Sequence, residues 1–241
     1  MEQKVALVTG GTGGLGTTIV DGLLAEGYLV AIHTLNQFDK KSSLETTNKN
    51  CKVYQADLRL EDEIEKLIQA IIQDFGKLNI VINAAGISHS AISWKQTLED
   101  WNKVMSTNAT APFLISKYAI PHLRKEKHSR LIYISSVVAQ KPLPGTSAYT
   151  ASKAALEGFT KAQAIELSRF DITVNCIAPG YFEVGMINTV EESLQQKIIS
   201  ETPLNRLGKP DELFECIKYL CSENSGFMTG QIVQLNGGLY L

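Results

Sequence analysis

Short apolar runs alternate with longer amphipathic stretches along the whole chain. The runs at 5–8, 28–32, 52–54, 78–82, 131–134, 172–177 and 231–234 are rich in Val, Ile and Leu, the mark of strands buried on both faces. Between them, the segments 14–25, 61–75, 101–124, 149–169 and 210–221 carry helical periodicity. In 61–75, Ile64, Leu67, Ile68, Ile71 and Phe75 recur at the i, i+3, i+4, i+7 spacing of one helix face. Near-continuous apolar strands joined by crossover helices predict an α/β fold, one doubly wound domain over residues 1–241 with a seven-stranded parallel sheet. No Pro/Gly/Ser-rich linker, repeat or low-complexity tract interrupts it. The stretch 181–207 carries no strand signal. Ligands of such sheets bind beyond the carboxyl ends of the strands, so this stretch is expected to cover a site as a lid.

Composition narrows the class. Of 241 residues, 44% are apolar and 20% charged, enough for a sizeable core and unlike a disordered chain. No apolar run approaches the roughly 18 residues of a membrane span, and the first one ends at Thr9 and Gly10, too soon for a signal-peptide core. A cytoplasmic protein with no membrane partner is expected. The formal charge of −2, with no basic block, argues against nucleic acid. Cysteines 51, 176, 216 and 221 and histidines 33, 89, 122 and 128 form no metal pattern, so no metal is expected. His89 alone is a candidate for lining a pocket.

Candidate chemistry begins at Thr9-Gly10-Gly11-Thr12-Gly13-Gly14-Leu15-Gly16, between the first strand and first helix. Glycines there let backbone N–H groups approach a pyrophosphate at the positive end of a helix, as in a Rossmann domain. Gly11, Gly13 and Gly16 satisfy G-x-G-x-x-G, and Gly10, Gly14 and Gly16 the wider T-G-x-x-x-G-x-G. A phosphate-loop NTPase is disfavoured, because Thr17 and no lysine follows Gly16. An NAD site usually has an acid near the end of the second strand. Here the chain reads His33-Thr34-Leu35-Asn36, with Lys40 and Lys41 following and Asp39 beside them. Missing acid plus two lysines predict NADPH/NADP+, the alternative being a solvated lysine pair.

Tyr149 and Lys153 are four apart on one helix face. Ser135-Ser136 ends the fifth strand and Asn83-Ala84-Ala85-Gly86 the fourth, with Asn108 on the helix between them. Four polar groups, from Asn108, Ser136, Tyr149 and Lys153, are thus expected to point toward the nicotinamide.

From about Lys4 to Gly238 the chain resembles the short-chain dehydrogenase/reductase family. The resemblance rests on the glycine loop, Asp57 after the third strand, N-A-A-G at 83–86, Asn108, Ser136, Tyr149-x-x-x-Lys153 and Pro179-Gly180. It implies Tyr149 as the proton donor to a carbonyl, and Ser136 as the group that holds the carbonyl oxygen. It implies Lys153 as a cation that lowers the phenol pKa and binds the nicotinamide ribose, and Asn108 as the holder of a relay water. Cofactor contacts are implied for Gly10, Thr12, Gly13, Gly14, Leu15, Gly16, Thr34, Lys40, Lys41, Asp57, Leu58, Asn83, Ala84, Gly86, Tyr149, Lys153, Pro179, Gly180 and Phe182. The substrate contacts implied are Ser136, Tyr149 and Tyr181. One position departs: Val184 stands where the family often has a threonine, and it cannot donate a hydrogen bond.

Within the family the chain is most similar to reductases of 3-oxoacyl thioesters, carried on CoA or acyl carrier protein, of fatty acid or polyhydroxyalkanoate metabolism. The similarity lies in T-G-G-x-G-G, Pro179-Gly180-Tyr181, Ser225-Gly226-Phe227 and Asn236-Gly237-Gly238-Leu239. Leu143, Thr146 and Ser90 depart from the acetoacetyl-CoA reductases, which tend to have glutamines and an aspartate there. Lys127 and Arg130 flank the fifth strand where reductases of carrier-bound substrates have basic residues. The competing readings are a reductase of another ketone, sugar or quinone, and a dinucleotide-binding sensor without turnover. The family implies a homotetramer, and the Leu239-Tyr240-Leu241 tail would suit a subunit contact.

Overall fold

The inner strands of the sheet are buried on both sides because their alternate residues feed two different cores. The computed structural model describes residues 3–36 and 49–241. Its strands are β1 (Val5–Thr9), β2 (Leu29–Thr34), β3 (Cys51–Gln55), β4 (Ile80–Asn83), β5 (Ser129–Ile134), β6 (Ile172–Pro179) and β7 (Ile232–Leu235). All neighbours are parallel, in the order β3-β2-β1-β4-β5-β6-β7. On one face Val5, Leu7, Ala31, Val81, Leu131 and Tyr133 pack against α2 (Glu61–Phe75), α4 (Ala111–Leu123) and α5 (Ser147–Leu167). On the other, Ala6, Val8, Ile32, Ile82 and Ile132 pack against α1 (Gly14–Ala25) and α7 (Pro210–Cys221). With no solvent face, the inner strands read as nearly unbroken apolar runs. Among the described residues no helix is long and apolar enough to cross a membrane.

Chain order reverses between β1 and β4, which pair directly with Thr9 opposite Asn83. That is the switch point at which such sheets open a ligand crevice. Strands extend past the apolar runs at this edge, through Thr9, Thr34, Gln55, Asn83 and Pro179. Polar groups there face the crevice, so an apolar criterion stops short of them.

Three expectations are corrected. The helix expected over 101–124 begins earlier and is divided into α3 (Leu98–Met105), a π segment (Ser106–Thr110) and α4. Pro112 has no N–H to offer the Asn108 carbonyl at the helical i+4 position, and the wider π turn accommodates that break. The stretch 181–207 holds a 3-10 turn (Gly185–Thr189) and a helix, α6 (Glu192–Glu201). Ile198 is the buried residue of α6, so its sequence carries little helical periodicity. Arg130 is no surface charge: it is 1% exposed, and its guanidinium donates to the Ser129 and Ser222 carbonyls at 3.0 and 2.8 Å. Lys127 is exposed, so the two residues do not form a basic patch.

Gly22, inside α1, marks where α1 meets α7. A Cβ on it would lie 2.4–2.5 Å from three ring atoms of Phe214. Alanine in a helix interior is worth about 1 kcal/mol over glycine, yet overpacking costs about 1–3 kcal/mol. Gly22→Ala should therefore lower unfolding free energy in chemical denaturation. A gain in stability would show that Phe214 moves aside freely.

Candidate active site

The loop between β1 and α1 is shaped by close backbone approaches. Gly10 has φ +65°, and a Cβ there would lie 2.9 Å from Ala85 Cα. A Cβ on Gly16 would sit 2.0 Å from the Gly10 carbonyl, and one on Gly14 would sit 2.8 Å from Gly185. The loop is pinned by Gly10 N–H donating to His33 Nδ1 at 3.1 Å, Gly11 N–H to His33 O at 3.0 Å, and Gly13 N–H to Gly10 O at 3.0 Å. Gly13 is the N-cap of α1, which has no side-chain cap and no acid in its first turn. Its N-terminal N–H groups and dipole therefore face the crevice without a competing anion.

At the other rim, Thr12 Oγ1 donates to Thr34 Oγ1 at 3.0 Å, and Thr34 and Leu58 are buried. The Asp57 carboxylate is held by the Arg59 guanidinium at 2.5–3.1 Å, which keeps its pKa below the usual range. Lys40, Lys41 and Asp39 lie outside the described residues. Beyond Thr9, whose Oγ1 accepts the Ala85 N–H at 3.1 Å, stands Asn83. Its carboxamide is buried, and neither its N nor its O has a partner. An unfilled buried carboxamide beside a glycine cradle and an uncapped helix fits a bound dinucleotide.

The polar groups of the reaction centre gather at the ends of β5 and α5. Ser136 caps a 3-10 turn (Val137–Ala139), its Oγ accepting the Val138 N–H at 3.2 Å. The Ser136 side chain acts on the Tyr149 phenol in the direction that lowers its pKa. One turn along α5, Lys153 lies with Nζ 5.6 Å from the Tyr149 ring centroid and donates to the Ile134 carbonyl at 2.7 Å. Gly86 leaves room for it: a Cβ there would come within 3.3 Å of Nζ. Burial pushes the phenol up to about 12 and the ammonium down to about 8. The expectation of a lowered phenol pKa is thus corrected for the protein alone, since desolvation by burial outweighs the lowering effect of Ser136.

Asn108 does not join this cluster with its side chain. It is fully buried, accepts the Ile87 N–H at 2.9 Å, and donates to the Ile87 carbonyl at 2.8 Å and Ser152 Oγ at 3.0 Å. Both amide hydrogens are used, so the carboxamide ties the loop after β4 to α5. His89 also stays apart; it is exposed and lies beside Gln96 and Asp100.

Motif reading missed a supporting network. Glu157 accepts from Ser135 Oγ at 2.9 Å and from Gln140 Nε2 at 2.5 Å. Its signal was present as spacing, since 149, 153 and 157 share one face of α5. On the far side Tyr181 packs with Tyr149, Val137, Val138 and Leu239. Pro179 ends β6, Gly180 lies against Asn236, where a Cβ would be 2.8 Å from Cα, and Phe182 is buried. Lys141 pairs with Glu201 of α6 at 3.2 Å.

Comparison with known proteins agrees with this arrangement. A family model described as Enoyl-(Acyl carrier protein) reductase matches residues 10–240. The chain is 37% identical to an acetoacetyl-CoA reductase of Rhizobium meliloti, over 99% of each chain. It is 34% identical to a 3-oxoacyl-[acyl-carrier-protein] reductase of Aquifex aeolicus, over 100% of this chain and 98% of the other. It is also 36% identical to Nodulation protein G of Azospirillum brasilense, over 99% of each.

Asn108→Ala removes three hydrogen bonds and leaves the Ile87 N–H and C=O unpaired. The expected loss is about 2–4 kcal/mol of unfolding free energy, read by urea denaturation. A loss under about 0.5 kcal/mol would show that water replaces the carboxamide.

Proposed function

The chain belongs to the short-chain dehydrogenase/reductase family of oxidoreductases, and we propose that it uses NADPH to reduce the ketone of a 3-oxoacyl thioester to the 3-hydroxyacyl thioester. The observation that carries the reaction is the Tyr149 phenol, kept protonated by burial, with the Lys153 ammonium one helical turn away and 5.6 Å from its ring centre. The thioester, on CoA or acyl carrier protein, is supported by the names of the full-length relatives. The cleft of about 250 Å³ that includes Ile92, Trp94, Pro142, Leu143, Thr146 and Thr150 supports it too. Its lining has no charged side chain and suits hydrocarbon better than sugar.

The dinucleotide, when bound, supplies the hydride. Gly10, Thr12, Gly13, Gly14, Leu15 and Gly16 present backbone to its pyrophosphate. Thr34, Lys40 and Lys41 serve the adenosine ribose end, Asp57 and Leu58 the adenine, and Asn83, Ala84 and Gly86 the intervening wall. Pro179, Gly180 and Phe182 back the nicotinamide. Ser136 Oγ donates to the substrate carbonyl oxygen and fixes its position. Tyr149, a neutral acid because its pKa is high, gives that oxygen a proton. The phenolate left behind is stabilised by the positive charge of Lys153, which lies 5.6 Å from the ring centre. The Asn108 carbonyl, lacking its i+4 donor, holds a water through which the proton is replaced.

Residues 181–207 act as the lid. Tyr181 meets Tyr149, Gly185 meets the glycine loop, and Lys141–Glu201 clips α6 to the loop after Ser136. A homotetramer is supported by Phe113 on α4 and Ile165 on α5, both exposed.

Tyr149→Phe should abolish reduction of acetoacetyl-CoA while leaving NADPH affinity within a few fold, and Lys153→Ala should damage both. Steady-state NADPH oxidation and calorimetric titration separate the two, and normal turnover by the phenylalanine variant would defeat the mechanism. Cofactor choice is a separate outcome. A 2′-phosphate with nearly two charges beside one partly screened lysine gains about 1–2 kcal/mol, a preference for NADPH of roughly 5- to 30-fold. The preference should shrink with salt and vanish in the Lys40→Ala, Lys41→Ala double variant. Equal kcat/KM with NADH at low salt would count against it.

A further inference from the structure

We propose that His33 is a positioning residue for the dinucleotide-binding loop, acting through two consecutive loop amides. The inference rests on the nucleotide-binding part of the reading above. His33 lies near the end of β2, 3% exposed, with every polar atom of its ring engaged. Nδ1 accepts the Gly10 N–H at 3.1 Å, and Nε2 donates to the Ala56 carbonyl at 3.0 Å. A backbone amide only donates and a carbonyl only accepts, so these partners select the neutral imidazole with its proton on Nε2. The His33 carbonyl takes the Gly11 N–H at 3.0 Å. One residue thus holds the first two glycines of the loop, and Gly13 closes back onto Gly10.

Gly10 has no room to retreat toward β4, because Ala85 lies against it on that side. Its position, and that of the N–H groups opening α1, is therefore set between Ala85 and the imidazole. A proton on Nδ1 would set N–H against N–H and remove the acceptor. Burial holds the His33 pKa below its usual value, so the neutral form prevails at physiological pH. Among the described residues the charged group that faces the ring is Asp57. It is paired with Arg59, and its backbone N–H donates to Glu63. β1, the glycine loop and β4 contribute no titratable side chain there.

The test is calorimetric titration of the whole protein with NADP+ from pH 5 to 8, for the wild type, His33→Asn and His33→Leu. Asparagine keeps an acceptor oxygen near the Nδ1 position and does not titrate; leucine removes the acceptor. Because the 2′-phosphate titrates in this range itself, the reading is the difference from His33→Asn at each pH. Expected is wild-type affinity falling relative to His33→Asn as pH drops toward 5, with the two equal at pH 8. His33→Leu should bind about tenfold weaker at every pH, with faster amide exchange at Gly10 in the nucleotide-free protein. Equal affinity and exchange in His33→Leu, or the same acid loss in His33→Asn, would overturn the role of His33. If His33→Leu does not fold, the comparison with His33→Asn decides alone. A wild type that binds neither NADP+ nor NAD+ at pH 8 would instead bring down the nucleotide reading and the inference with it.

Discussion

A cation without a counterion sits at the centre of this molecule, and much of the surrounding structure follows from keeping it there. Lys153 is buried, and among the described residues no carboxylate lies within ion-pair distance of its Nζ. Removing an ammonium from water is costly. Here the loss is partly offset by the Ile134 carbonyl, which is fixed by the end of β5. A carboxylate is available one turn along the same helix, at Glu157, but it is engaged by Ser135 and Gln140. Had Glu157 paired with Lys153, the charge would have been neutralised before a phenolate could use it. Gly86 provides the space and Tyr149 the group that benefits.

The same logic of exclusion shapes the nucleotide side. Where the loop backbone must pass close to other backbone, the chain has glycines whose Cβ atoms would collide with Ala85, Gly10 or Gly185. Where a helix would ordinarily carry an acidic or hydroxyl cap, α1 has none. The direct pairing of β1 with β4 opens one crevice at the sheet's edge, and the proposed acid and the glycine loop both serve it though separated by over a hundred residues.

Which of this was readable in the sequence depends on whether a residue's role is local. Strand interiors such as Val5–Val8 announce themselves because both cores demand apolar side chains, and Gly14–Ala25 and Pro210–Cys221 follow helical spacing end to end. The ordered motifs placed Ser136, Tyr149 and Lys153 together. What escaped was long-range. The inward turn of Asn108 depends on Ile87 and Ser152, and the burial of Arg130 depends on Ser222. The rise of the phenol pKa depends on how deeply the fold encloses it, which spacing does not encode. Helix α6 escaped for the opposite reason, having almost no core to face. His33 stood beside the missing acid read at Thr34, but its bond to Gly10 requires the register of β2 beside β1.

The sheet that separates the two cores also insulates two tasks. The helix bearing Tyr149, the proposed proton donor, packs on one face with Leu156, Ala164 and Leu167, while the helix behind the glycine loop packs on the other with Ile19, Val20 and Leu23. Substitutions deep in one chamber are separated from the other by the strand layer, and distant sites of this kind add nearly independently. Such a scaffold can drift in nucleotide preference on one side while its proton chemistry stands still on the other. It is in this sense two evolvable modules that share a wall.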